Sequence, residues 1–206
     1  MMTTLSQAQY FAGIGGSQYF LAATGLRVTD ASAFDVGACL LQRTDEPLGY
    51  AAHIVWQRRR FHSQGYEVMT GSDRYFEFDM RVDMLVIGCD ARIALNEDRK
   101  VFFDVGPDFC FQFSEDKDGI AFTQIYAVND TITYHHVRRS FFALHDVRFR
   151  TGLSGDVPLS QNSIATFGMH LSIGGGGWTP GGPIISWGLQ ASAGLLFALP
   201  DRRKRK

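Results

Sequence analysis

The stretch YFEFDMRVDMLV, residues 75–86, alternates between apolar and charged side chains with a period of two. This period predicts a β-strand, because successive side chains of a strand point to opposite sides. The even positions are all apolar: Phe76, Phe78, Met80, Val82, Met84 and Val86. Four odd positions are charged: Glu77, Asp79, Arg81 and Asp83. Taken alone, the stretch does not tell which face points to the interior.

Residues 101–113 alternate in the same way and favour an orientation. One face carries seven apolar residues in succession, including Phe103, Phe109 and Phe111. The opposite face includes Asp104 and Asp108. Such a run exceeds what a small core needs but suits a strand face turned to lipid. We therefore predict that the following side chains face lipid: Phe76, Phe78, Phe103, Phe109, Phe111 and Trp187.

Composition is compatible with such a barrel. The chain has 206 residues, which indicates one domain. Mean hydropathy is only −0.07, because half of each spanning strand would face a polar interior. No apolar run approaches the roughly 18 residues of a spanning helix, so the sequence argues against a helical membrane protein.

Eight segments of the chain have strand-like alternation. The first, third and fifth connections between them are long and the second and fourth are short, and residues 114–139 are predicted to be the longest irregular region. Outer-membrane barrels have this pattern, with an even number of strands. The predicted fold is all-β, an eight-stranded antiparallel up-and-down transmembrane β-barrel over residues 10–197. Residues 1–9 are predicted to be a leader remnant or disordered, and residues 198–206 a basic tail.

Other chemical signals are weak. The three cysteines lie singly in candidate strands, and no metal-ligand spacing occurs, so we expect no metal and no cofactor. The last six residues carry five basic groups and one acid. Because no basic patch precedes them, we expect a solvated terminus rather than a nucleic-acid site.

Several motifs resemble the porin-like outer-membrane β-barrel domain of small bacterial surface proteins. They are Tyr75-Phe76-Glu77-Phe78, Phe102-Phe103-Asp104-Val105-Gly106-Pro107, Thr151-Gly152-Leu153 and Ala193-Gly194-Leu195-Leu196-Phe197. The resemblance implies a bacterial outer-membrane location, contact with outer-membrane lipids and lipopolysaccharide, and a possible protein partner at long extracellular loops or at the barrel wall. One departure is that nine residues follow Phe197.

Charged residues on three neighbouring strands are predicted to share the barrel interior. They are Glu77, Asp79, Arg81, Asp83, Asp104, Asp108, Asp146, Arg148 and Arg150. An eight-stranded lumen is only just wide enough for side chains, and an unpaired buried ion costs several kcal/mol. We therefore expect a salt-bridged polar plug, and the alternative is a path for protons or ions.

His170 and Ser172 are two residues apart and so lie on one strand face. With the Pro180-Gly181-Gly182-Pro183 loop that follows, they resemble the lipid A deacylases, which implies His170 as general base and Ser172 as nucleophile. The family's asparagine position is Ile173 here, and no acid occurs between Asp156 and Asp201. The preferred function is therefore non-enzymatic, a structural, adhesive or complex-forming surface role. The alternatives are an outer-membrane esterase and a soluble lipocalin-like ligand-binding barrel.

Overall fold

The computed structural model describes residues 9–23, 28–43, 46–69, 72–125, 128–179 and 182–200. Eight strands follow one another: β1 (Gln9–Ala23), β2 (Val28–Arg43), β3 (Leu48–Met69), β4 (Ser72–Ala94), β5 (Val101–Ile125), β6 (Val128–Ser160), β7 (Ser163–Thr179) and β8 (Gly182–Ala198). Each strand pairs antiparallel with the next, and β1 pairs with β8. The predicted eight-stranded antiparallel barrel is confirmed.

One end of the barrel has compact turns. The turn between β4 and β5 is closed by Asn96, whose side-chain oxygen accepts hydrogen bonds from the backbone N–H groups of Lys100 (3.0 Å) and Val101 (3.2 Å). Because consecutive strands run antiparallel, the turns after β2 and β6 lie at this same end. The start of β1 and the end of β8 lie there too. We call it the short-turn end.

The other end carries a projection. It consists of the parts of β3 to β6 that lie nearest to the connections after β3 and β5. These strands have 22, 23, 25 and 33 residues, whereas β1 and β2 have 15 and 16. The prediction of an irregular region at residues 114–139 was therefore wrong, since β5 and β6 continue through the described part of it. Cross-strand hydrogen bonds do not need an apolar face, so residues 114–139 can form strands without the alternation that reveals a strand in sequence.

The strand register shows where the sheet is irregular. β3 and β4 pair without a shift, while β4 and β5 shift between Asp83 and Met84. The register of β4 and β5 does not shift between Gly88 and Ala91. The shift instead lies where the projection leaves the barrel, which is a position where a bulge can bend the sheet.

Two apolar clusters fill parts of the interior. Phe11, Leu41, Ile164 and Leu196 pack together within three residues of their strand ends, at the short-turn end. Val55, Val82, Met84, Val86 and Cys110 form a second cluster nearer to the projection. Between the two clusters the interior is polar.

Some sequence predictions fall on parts of the chain that lie outside the described residues. Residues 1–8 and 201–206, which contain most of the predicted leader remnant and basic tail, are among them. Within the described residues, no helix has the length and apolar character needed to cross a bilayer.

Candidate functional site

The outer wall of the barrel carries an apolar belt on all eight strands. Between Leu85 and Ile93 on β4 and between Ala165 and Ile173 on β7, every second residue points outward and is apolar or Cys89. Exposed large side chains of the belt include Ile14, Val36, Ile54, Ile87, Phe103, Phe109, Phe149, Leu153, Phe167, Leu171, Trp187 and Phe197. On β4 and β7 the belt spans nine residues, a length that crosses a bilayer hydrocarbon core.

The predicted lipid-facing residues can be placed as follows. Phe103, Phe109 and Trp187 are exposed in this belt, and Phe111 is half-buried on the same side of β5. The side chains of Phe76 and Phe78 lie outside the described residues.

The charged face of β4 points outward, not inward as predicted. Glu77, Asp79 and Arg81 are exposed, and Asp83 bonds Arg58 on the outer side. The prediction that these four residues lie in the interior is wrong. The reason is that this part of β4 belongs to the projection, beyond the apolar belt, where the outer face is polar and apolar residues such as Val82 are buried inside.

At the edge of the belt nearest to the projection, aromatic and charged side chains of β2, β3 and β4 contact one another. The rings of Phe34 and Trp56 meet edge to face with centroids 5.4 Å apart. The Arg58 guanidinium lies 4.9 Å from the Trp56 ring centroid, and its Nε donates to Asp83 Oδ1 at 2.7 Å. Tryptophan with a polar neighbour is the residue pattern typical of a membrane–water interface.

Inside the belt, the barrel interior holds six buried carboxylates and four buried guanidinium groups among the described residues. The carboxylates belong to Asp35, Asp90, Asp104, Asp108, Asp146 and Asp156, and the guanidinium groups to Arg59, Arg92, Arg148 and Arg150. The structure thus places Asp104, Asp108, Asp146, Arg148 and Arg150 in the lumen.

Arg92 organises the group nearest to the short-turn end. Its Nε donates to Asp104 Oδ1 at 3.1 Å, and its Nη2 donates to Asp156 Oδ1 at 3.1 Å and to Ser154 Oγ at 2.8 Å. The guanidinium also lies 4.1 Å from the centroid of the Phe102 ring. One cation therefore compensates two buried carboxylates.

His170 joins this group from across a strand. Its Nε2 lies 3.1 Å from Asp104 Oδ2, although β6 runs between β5 and β7. The register explains the contact, because Gly152 of β6 pairs with Asp104 on one side and His170 on the other. A Cβ atom at Gly152 would lie only 2.8 Å from His170 Cδ2, so the glycine leaves the space in which the two side chains meet.

The same arrangement recurs at Gly88 of β4. Gly88 pairs with His53 of β3 and with Asp108 of β5, and His53 Nε2 lies 3.0 Å from Asp108 Oδ1. Arg150 Nη2 lies 3.1 Å from His53 Nδ1, the ring nitrogen that accepts when Nε2 donates.

A third glycine, Gly106 of β5, lies between Asp90 and Arg150. These two side chains form an ion pair, and a Cβ at Gly106 would lie 2.8 Å from Asp90 Oδ1. Three polar contacts of the interior thus cross a glycine on an intervening strand. This pattern lets side chains two strands apart pair in a narrow lumen.

The group nearest to the projection surrounds the Cys110 thiol. Arg148 Nε lies 3.1 Å and Arg59 Nη2 3.8 Å from Cys110 Sγ. Both guanidinium groups also lie near Asp146, at 3.8 Å and 3.5 Å respectively. Gln57 accepts a bond from Arg59 Nε at 2.9 Å.

A cavity of about 120 Å³ lies in the lumen beside the Arg92 and Arg150 groups. Its lining includes Asp35, Cys39, His170, Gln190 and Ser192. Apolar and polar side chains line this space together, and beside the polar ones it has room for several water molecules, since one needs about 10–15 Å³. The chemistry that this lining suits is hydration of a buried ionic network.

His170 and Ser172 are both buried, with 5% and 1% of their surface exposed. His170 bonds Asp104, while Ser172 Oγ donates to the carbonyl oxygen of Gly188 at 3.4 Å. Among the contacts of the described residues, no hydrogen bond joins the two side chains. The histidine therefore has an acid partner, Asp104, which lies on β5 and could not be seen in the sequence of β7. The serine, however, does not donate its proton to the histidine.

Sequence reasoning missed Asp90 and Arg92. Both occupy even positions of β4, the side that had been assigned to lipid from Phe76 and Phe78. A carboxylate and a guanidinium on a lipid face are costly, and this conflict is the signal that could have corrected the orientation of β4. Within the described part of the chain, no three His, Cys, Asp or Glu residues are placed to hold a metal ion.

Comparisons with known proteins give distant structural likeness. No family model matches the sequence. No curated protein matches it. The attachment invasion locus protein Ail of Yersinia pestis, solved in complex with the heparin analogue sucrose octasulfate, is 13% identical with a TM-score of 0.42, covering 94% of this chain and 99% of Ail. Neisserial surface protein A is 12% identical with a TM-score of 0.41, covering 91% and 97%. By its own strand pairing, the chain is a closed eight-stranded antiparallel β-barrel.

Proposed function

We propose that this chain is an integral protein of a bacterial outer membrane, with a plugged polar interior and a structural, adhesive or complex-forming role at the cell surface. The observation that carries the proposal is the polarity of the wall. Apolar side chains face outward around the barrel, and charged side chains are buried inside. A soluble lipocalin-like carrier would need the reverse arrangement, because its ligand cavity lies within the barrel.

The plug is supported by the contents of the lumen. The apolar cluster of Phe11, Leu41, Ile164 and Leu196 fills the short-turn end, and paired charges fill the middle. Eight strands leave room for side chains but not for an aqueous channel. A structural interior is therefore favoured over a path for protons or ions.

The surface role is supported by the projection. Outer-membrane barrels keep short turns on the periplasmic side and long segments outside, and this rule supports a projection at the cell surface. Between Val128 and Leu144, β6 pairs with β5, and pairing with β7 begins only at Asp146. In the described part of the sheet these residues thus form an edge, and an unpaired edge can accept a strand from a protein partner.

Cysteine labelling on intact bacteria tests location and orientation together. Asp79 in the projection and Asp98 at the short-turn end are equally exposed, each at 75% of the side chain. We expect a membrane-impermeant maleimide to label Asp79→Cys on intact cells and Asp98→Cys only after lysis. The parent protein is the control. Labelling of both variants only after lysis, with the protein in the soluble fraction, would contradict the proposal.

A further inference from the structure

The outer face of β3 and β4 has one pair of arginines directly opposite each other. Because β3 and β4 pair without a shift, their outward residues form rungs: Trp56 with Leu85, Arg58 with Asp83, Arg60 with Arg81, and His62 with Asp79. The rung of Trp56 is the last of the apolar belt. The rung of Arg60 and Arg81 is the second one beyond it.

On β3 and β4, each neighbouring rung pairs a basic side chain with a carboxylate, whereas this one has two like charges. Arg58 bonds Asp83 at 2.7 Å, and His62 Nδ1 lies 2.9 Å from Asp79 Oδ1. Arg60 and Arg81 are both exposed, and like charges directly opposite each other destabilise a strand pair. On the other side, Arg81 pairs in register with Asp116, which is half-buried. The rung therefore holds two guanidinium groups and one carboxylate, and it suits an anion.

The height of the rung indicates which anion. Arg60 is four residues beyond Trp56, which corresponds to about 13 Å along a strand and about 10 Å above the belt at the usual tilt. The phosphorylated headgroups of the outer leaflet extend about 5–8 Å beyond the hydrocarbon core, and the long arginine side chains can reach back to them from this height. Guanidinium groups bind phosphate oxygens through paired, charge-assisted hydrogen bonds.

We infer that Arg60 and Arg81 together bind a phosphate of a glycolipid headgroup, as carried by lipopolysaccharide, against the outside of the barrel. This inference rests on the proposed outer-membrane location and adds a specific site to it. Trp56 and Arg58 border the site on the side of the belt, where the acyl chains of the same lipid would contact apolar side chains.

The test is a binding titration of the full chain, folded in detergent, with phosphorylated lipid A. We expect Arg60→Gln/Arg81→Gln to weaken binding about tenfold or more, since charge-assisted hydrogen bonds to both guanidinium groups are lost. Lys100→Gln is the matched control, because Lys100 is exposed at the opposite end of the barrel. It should change the affinity by less than about twofold.

Two further arms identify the ligand. Dephosphorylated lipid A should bind the parent protein about as weakly as phosphorylated lipid A binds the double variant. Inorganic phosphate at equal concentration should not compete, because it lacks the acyl chains. Equal affinity of parent and double variant, with both folded, would overturn the site, as would full competition by inorganic phosphate. These binding experiments use purified protein. A negative binding result can therefore be told apart from a negative result of surface labelling on cells.

Discussion

His170 Nε2 lies 3.1 Å from Asp104 Oδ2 over Gly152, a residue of the strand that separates them. Similar contacts cross Gly88 and Gly106. The ionic contacts of the interior thus depend on glycines, because a glycine between two partners leaves room for their side chains to meet.

The glycine between Asp104 and His170 leads to a first prediction. Gly152→Ala should lower the free energy of unfolding by about 1–3 kcal/mol, because the added Cβ meets the Met169 carbonyl oxygen and the His170 ring. Urea unfolding in lipid vesicles measures the change. Gly155→Ala on the same strand is the control, since its Cβ would meet only the Lys100 carbonyl oxygen at 3.6 Å. Equal stability of the two variants would show that β7 does not approach Gly152 this closely.

Two arginines of β4 test which side of the strand faces the lumen. Arg92→Ala leaves Asp104 and Asp156 without their shared cation and should cost about 3–5 kcal/mol. Arg81→Ala removes an exposed side chain and should change stability by less than about 1 kcal/mol. The same unfolding assay compares them, and the reverse order of stability would restore the orientation first predicted for β4.

How far the sequence specifies this structure differs between strands. On β5, one run of outward phenylalanines and inward aspartates predicts the orientation from Val101 onward. On β4, residues 75–84 have an equally regular pattern, yet they lie beyond the belt, where the polar face is the outer one. Alternation identifies a strand but does not tell at which height of the membrane it lies. Contacts over glycine depend on the register of three strands, which no single stretch of sequence contains.

The plugged interior predicts the electrical behaviour of the protein. Reconstituted in planar bilayers, it should show no steady single-channel conductance, because paired charges and the cluster around Phe11 occupy the lumen. The control is an unrelated open porin in the same bilayer. A stable, salt-dependent conductance that disappears in an Arg148→Ala variant would support an ion path instead.

The placement of Ser172 predicts a negative result with lipid A. Its hydroxyl donates to the Gly188 carbonyl oxygen, and the side chain is buried in the lumen, out of reach of a membrane lipid. Mass spectrometry of lipid A incubated with the protein should therefore show every acyl chain retained. Loss of one acyl chain with the parent, and not with Ser172→Ala, would establish an esterase.

The most direct test of an outward apolar wall is the stability of a Phe109→Arg variant in lipid vesicles. Phe109 is exposed near the middle of the belt on β5. If the belt contacts lipid, arginine there should lower the free energy of unfolding by about 2–4 kcal/mol, while Phe109→Leu, which stays apolar, should lower it by less than about 1.5 kcal/mol. Equal stability of the arginine and leucine variants would contradict a lipid-facing belt and, with it, the assignment of the chain to a membrane.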